Sequence, residues 1–167
     1  QIRLTSINRY GNFNWDVYHN DAVMERATSF FLDGTGAPVV AGVRLWQGFN
    51  YVWVMKHSGY GQFLWETIDT QAGCVAFNVV ANLTGDFWVA ASCIEDQRFP
   101  VRLLHYGYAG NLLWAQNYSE GGRNYVRNLN VDFMNRVNLT LEVDNGSGNR
   151  YARTLVFDRY GSRLAAY

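Results

Sequence analysis

The 167-residue chain has no cluster of Lys and Arg, and its 14 basic and 14 acidic residues leave a formal net charge of zero. The electrostatic footprint of a nucleic-acid binder is therefore missing, and no nucleic acid partner is expected. No stretch is long and apolar enough to span a membrane. No segment of useful length carries a convincing helical period. The best candidate, Asp21 to Thr28, sits where its place in a repeat favours a strand. The Gly-x-Ser-x-Gly elbow, the P-loop and the dinucleotide fingerprint are absent. His19, His57 and His105 show no spacing with Cys or Asp that resembles a metal site. No metal or cofactor is expected.

What the chain has is strand-forming residues and a period. Hydrophobic residues make up 49% and aromatics 16%, and aromatic and β-branched side chains favour strands. The segment Gly11-Asn-Phe-Asn-Trp15 returns as Gly61-Gln-Phe-Leu-Trp65 and as Gly110-Asn-Leu-Leu-Trp114, with a worn copy at Gly161-Ser-Arg-Leu-Ala165. The glycines are 50, 49 and 51 residues apart. Between these copies a second element recurs: Phe31 to Gly42 lines up with Val80 to Ala91 and with Val131 to Leu141. Both elements read as an apolar run, a short Gly/Asn turn and a second apolar run, which is a β-hairpin. A fixed period of this size points to a stacked or radial array. The expectation is one all-β domain over 1–167, with repeat units at about 1–48, 49–97 and 98–149 and a partial unit at 150–167. Seven hairpins give about fourteen strands.

Strand faces add to this. Val137, Leu139, Leu141 and Val143 alternate with Asn138, Thr140, Glu142 and Asp144, so this strand has one wet face. Tyr51 to Met55 and Phe87 to Ala91 are apolar on both faces, as strands covered from both sides would be. The alternating strand therefore belongs at an end of the array. The turn of the second plain hairpin spans Asn82 to Gly85, and Cys74 and Cys93 are equidistant from its centre. In an unbulged hairpin they would oppose each other at about 4.5–5.5 Å between Cβ atoms and form a disulfide. A bulge would break that register, and two free buried thiols are the alternative. Sequons occur at Asn82, Asn117, Asn138 and Asn145, although Asn and Thr also serve turn chemistry.

In the Gly-x-x-x-Trp element, Gly11, Gly61 and Gly110 supply the turn conformation. Trp15, Trp65 and Trp114 follow on the outgoing strand, where each ring can cover the junction to the next unit. Repetition in every unit favours packing over sugar-stacking platforms.

Asp33-Gly-Thr-Gly36, Val39-Val-Ala-Gly42, Tyr51-Val-Trp-Val-Met and Gly61-Gln-Phe-Leu-Trp65 resemble the bacterial β-propeller repeat. That pattern runs strand, Asp-x-x-Gly-Asn, Val-x-Val-x-Gly, strand, Asp-x-x-Gly-Asn-x-x-Trp. The resemblance covers nearly the whole chain with short motifs. It implies a β-propeller-like array of four-stranded antiparallel blades and an extracellular or cell-surface binding scaffold, with no catalytic residue to carry over. The Gly-x-x-x-Trp part is also similar to the tryptophan-docking motif of quinoprotein propellers. The Ala, Asp and Thr that precede it there are missing, so no quinone cofactor is implied. A β-trefoil is the alternative fold.

These readings converge on a non-enzymatic binding or assembly module for a glycan or protein ligand. Tyr60, Tyr106 and Tyr108 are contact candidates, with His57 and His105 near the same turns. Seven hairpins make three and a half blades, and a half-blade leaves a strand edge open to self-association. A glycosidase-type enzyme is the second reading and needs two carboxylates that meet in the fold. The adjacent pair Glu95-Asp96 reads as a solvated loop. A β-trefoil lectin is the third.

Overall fold

The computed structural model describes residues 1–19, 24–94 and 99–167, and every element in them is a strand or a turn. Asp21 and the pair Glu95-Asp96 lie outside the described residues, while Met24 to Thr28 is strand.

One turn geometry is used seven times. The N–H of its first residue donates to the carbonyl of the fifth, and the N–H of the fourth donates back to the first. The first residues are Asn8, Asp33, Ser58, Asn82, Gly107, Asp132 and Asp158, spaced 24 to 26 apart. The fourth residue is always left-handed: six glycines with φ from 79° to 88°, and Asn135 at 59°. This is a type I turn closed by a left-handed residue, a common three-residue hairpin loop. At six of the seven, the first side chain accepts N–H bonds from the third and fifth residues, as Asp33 Oδ1 does from Thr35 at 2.8 Å and Ala37 at 3.0 Å. Plain and Trp-bearing hairpins therefore share one turn, and the structural period is half the sequence repeat.

Strands β1 (Ile2–Ile7) and β2 (Phe13–His19) form a two-stranded sheet. The next sheet holds β3 (Met24–Leu32), β4 (Pro38–Trp46), β5 (Phe49–His57) and β6 (Phe63–Ala72). It is followed by β7 (Cys74–Ala81), β8 (Phe87–Cys93), β9 (Val101–Tyr106) and β10 (Leu112–Tyr118). The last sheet is β11 (Arg123–Val131), β12 (Val137–Asp144), β13 (Arg150–Phe157) and β14 (Arg163–Ala166). All are antiparallel meanders, so the chain is an open, propeller-like array and not a trefoil. The four-stranded sheets open with the plain hairpin and start at 24, 74 and 123. They run one hairpin out of phase with units cut at 1, 49 and 98, which places the half-unit at the N-terminal side.

The core lies between sheets. Val39, Ala41, Val52 and Val54 meet Phe87, Val89, Leu104 and Tyr106 in one gap. Trp88, Ala90 and Leu103 meet Leu139, Leu141 and Leu155 in the next. β8 is buried on both faces, while β12 alternates buried and half-buried residues, as an end position requires.

Bulges recur too. The plain hairpins skip Thr28, Phe77 and Arg127 in their first strands. The others skip Asn14, Leu64, Leu113 and Leu164, one residue before the Trp position. A bulge re-aims the side chain beside it. Trp15 Nε1 donates to the Gly59 carbonyl and Trp114 Nε1 to that of Arg159, both at 2.9 Å and both across a sheet junction. A Cβ on Gly61 would lie 2.9 Å from the Trp15 ring, and one on Gly110 2.8 Å from the Trp65 ring. The tryptophans are packing residues, each seated on the glycine of the following sheet.

Cys74 and Cys93 are paired in register and bonded, with an S–S distance of 2.02 Å. The expected obstacle, a bulge, is present at Phe77. The turn is centred on Thr84, half a residue beyond the expected centre, which shifts the register by one. The bulge shifts it back.

Candidate functional site

A meander alternates its turns between the two ends of a sheet, so all seven shared turns lie at one end. The plain turns form an inner group: Gly34 lies against the Leu83 backbone, and Asn82 Nδ2 donates to Asn135 Oδ1 at 3.0 Å. Together they border a cleft of about 480 Å³ lined by Phe31, Leu32, Leu83 and Phe133. Leu83 and Phe133 are 90% and 93% exposed at their turn tips. Outside this group, the tips of the three Trp-bearing hairpins carry the exposed Tyr10, Tyr60 and Tyr108, and the last hairpin, with Ala165 at the Trp position, carries Tyr160. Tyr60 and Tyr108 stand where the sequence places them. Tyr10 and Tyr160 were legible as well, at the same turn position as Tyr60 and 50 and 100 residues from it.

Tyr106 and His57 are corrected as ligand contacts, and His105 is not an exposed contact but lines a recess. Tyr106 is 1% exposed and stacked on Phe87 at 4.9 Å, so it is not a surface contact. Burial, with Asp69 adding, holds its phenol well above the usual range. His57 is buried beside Phe63, and burial followed by the charge of His19 pushes it down. His105 is 2% exposed and stacks on Trp88 at 4.3 Å. Burial pushes it down to about 4, Asp86 opposing and Arg159 assisting. The physical reason is shared: β5 and β9 are inner strands with neighbours on both faces, so alternate positions offer no wet side.

Between the second and third four-stranded sheets, the turn-bearing end opens into a recess of about 160 Å³. Asn82, Thr84, Asp86, Asn135 and Arg159 line it, and Trp88 and His105 form its floor. Among the described residues, Trp88 Nε1 and both ring nitrogens of His105 have no hydrogen-bond partner.

A second polar cluster lies under the two-stranded sheet. His19 Nε2 is 3.1 Å from Glu25 and 3.3 Å from Glu66. Arg44 is paired with both carboxylates, and Trp53 Nε1 donates to Glu66 at 3.0 Å. Ligand atoms of His19, Glu25 and Glu66 lie within 4.8 Å of one another, a spacing a metal ion could use. The Arg44 guanidinium already neutralises that space. Burial would raise Glu66, but Trp53, Arg44 and His19 together hold it low, the opposite of a catalytic acid. Arg44 also lines a cleft of about 500 Å³ bordered by Trp46 and Tyr51 of the first four-stranded sheet. Its charged lining is committed, Arg44 as above and Asp69 to Arg102 at 2.5 Å. No protein-family model and no curated protein matches the chain.

Proposed function

We propose that this chain is a non-enzymatic binding module of the propeller-repeat kind, working in an oxidising compartment outside the cell or at its surface, and that it takes a glycan on its turn-bearing end. The observation that carries the reading is the row of exposed tyrosines Tyr10, Tyr60, Tyr108 and Tyr160 on hairpin tips at that end, beside a recess with unpartnered polar groups. Tyrosine offers a broad, rigid contact at little conformational cost, and the turns that hold it are fixed by hydrogen bonds to their own first residue. The buried disulfide fits an oxidising compartment. No helix is long and apolar enough to cross a membrane. A glycan array read with the wild type and with Tyr60→Ala and Tyr160→Ala tests this. Retention on a defined set of glycans, weakened about tenfold by either variant, is expected. No retention on any glycan would remove the reading.

An assembly role is the second reading, favoured by one feature. β1 has a single strand partner, and beside it Ile7, Phe30 and Leu32 stand exposed around a cleft of about 460 Å³. A molar mass near twice 19.1 kDa in solution would support pairing through that edge.

A further inference from the structure

The two gaps between four-stranded sheets are built on the same plan, so one serves as a reference for the other. Strand register makes Lys56 and His105 equivalent, since each is paired with the tryptophan of its hairpin. Turn position makes Gly85 equivalent to Asn135, and Tyr108 equivalent to Arg159. In the first gap the Tyr108 ring sits over Lys56 Nζ at 4.3 Å, and Lys56 pairs with Asp33 at 2.8 Å. Gly85 lets that ring approach, because a Cβ there would be 2.7 Å from Tyr108 Cδ2. The first gap is thus filled by an aromatic ring and closed by an ion pair. The second gap has Asn135 for the glycine, Arg159 for the tyrosine and His105 for the lysine. No ring fills it.

What faces the second gap is polar and incomplete. His105 is 2% exposed, and both its ring nitrogens lack a partner among the described residues, as does Trp88 Nε1. Buried polar atoms are almost always satisfied, and these belong to two stacked rings that line the recess. Asp86 adds acceptors and Arg159 adds donors, so the recess carries one charge of each sign and favours neither a free cation nor a free anion. The Thr84 hydroxyl completes a mixed donor and acceptor lining. About 160 Å³ is the space of roughly five liquid waters, which suits one ring and not an oligosaccharide.

We propose that this recess binds a single neutral, hydroxyl-rich ring, a monosaccharide unit, with Asp86 and Arg159 engaging neighbouring hydroxyls and the His105 and Trp88 nitrogens holding the inserted edge. The inference rests on the glycan-binding reading and names the subsite within it. The tyrosine tips then carry whatever extends beyond the inserted unit.

The test is a titration of the full chain with a panel of neutral monosaccharides and their methyl glycosides, followed by tryptophan fluorescence and by the ring signals of His105 in NMR. Inorganic phosphate and acetate serve as charged controls. A saturable response to at least one neutral sugar is expected, with a Kd on the order of 1 mM, weakened at least about tenfold by Asp86→Asn and by Arg159→Gln. The double change Asn135→Gly with Arg159→Tyr rebuilds the first gap's filling and should abolish the response in a chain that stays folded by circular dichroism. A methyl glycoside that binds as well as its free sugar assigns the unit to the end of a glycan, and loss on methylation assigns it to the free sugar; both support the recess. No response to any neutral sugar at about 100 mM, a response to phosphate or acetate alone, or one unchanged by all three variants overturns the proposal. Glycan-array retention that survives Asp86→Asn but not Tyr160→Ala would overturn the recess and leave the binding reading standing. Absence of both signals would remove both.

Discussion

Gly11 and Gly61 have the same left-handed backbone, φ +83° in each, but different surroundings. A Cβ on Gly11 meets nothing within 4 Å, whereas one on Gly61 meets the Trp15 ring at 2.9 Å. Gly11→Ala should therefore cost only the backbone strain, about 1 kcal/mol. Gly61→Ala should cost about 3 kcal/mol, since it also displaces a seated indole. Urea denaturation of both variants checks this, and equal losses would mean that the tryptophan contact contributes little. His105 sets a pH dependence at the same scale. Its ordinary value is 6.5 and its folded value about 4, so the fold favours the neutral ring. That stability is complete above about 6.5 and lost as pH falls toward 4, some 3 kcal/mol in all. Stability measured across this window should decline in the wild type and decline less in His105→Gln. Parallel profiles would rule out His105 as the source. Asp33 acts lower. Burial opposes its ionisation, but Lys56, Thr35 and two backbone N–H groups hold it at about 2.

At the scale of the element, the second plain hairpin shows what a sequence conceals. Its disulfide exists because two one-residue offsets cancel, one in the turn and one at Phe77. Deleting Phe77 should remove the bulge and leave Cys74 opposite Cys93, because Ala76 and Asn78 already pair with the adjacent Ala91 and Ala90. Intact mass after alkylation should then show no labelled thiol, and two labelled thiols would mean that the extra residue is needed for the pairing. Reducing the wild type should cost about 3 kcal/mol, read as a lower midpoint in denaturant. The hairpins themselves were legible from Gly11, Gly61, Gly110 and the alternation in Val137 to Asp144, because turn conformation and face burial are local demands. The Cys pairing was legible only in outcome, because turn length and bulge position each carry one residue of freedom. Tyr106 and His57 misled for another reason. A strand covered on both faces has no wet side, and which strands are covered depends on neighbouring sheets. The recess was out of reach altogether: its meaning lies in Asn135 and Arg159 standing where the first gap has Gly85 and Tyr108.

For the whole molecule, burial is uneven along the array. β8 is buried on both faces, β12 on one, and the two-stranded sheet contributes little beyond Ile2 to the core. Native-state hydrogen exchange should follow that order, slowest in β8 and β9 and fastest in β1 and β2. Protection of β1 equal to that of β8 would mean that its free edge is covered in solution.

The tryptophan contacts also give the array a direction. Each sheet extends a hook to the one after it: Trp15 to Gly61, Trp65 to Gly110, Trp114 to Gly161. At the first sheet the eye, Gly11, holds nothing, and at the last the hook is blunted to Ala165. Copies of this chain therefore cannot couple head to tail through their own fastening. Restoring the hook with Ala165→Trp would supply the missing half of a heterologous contact, the kind that propagates into filaments when its rotation does not close.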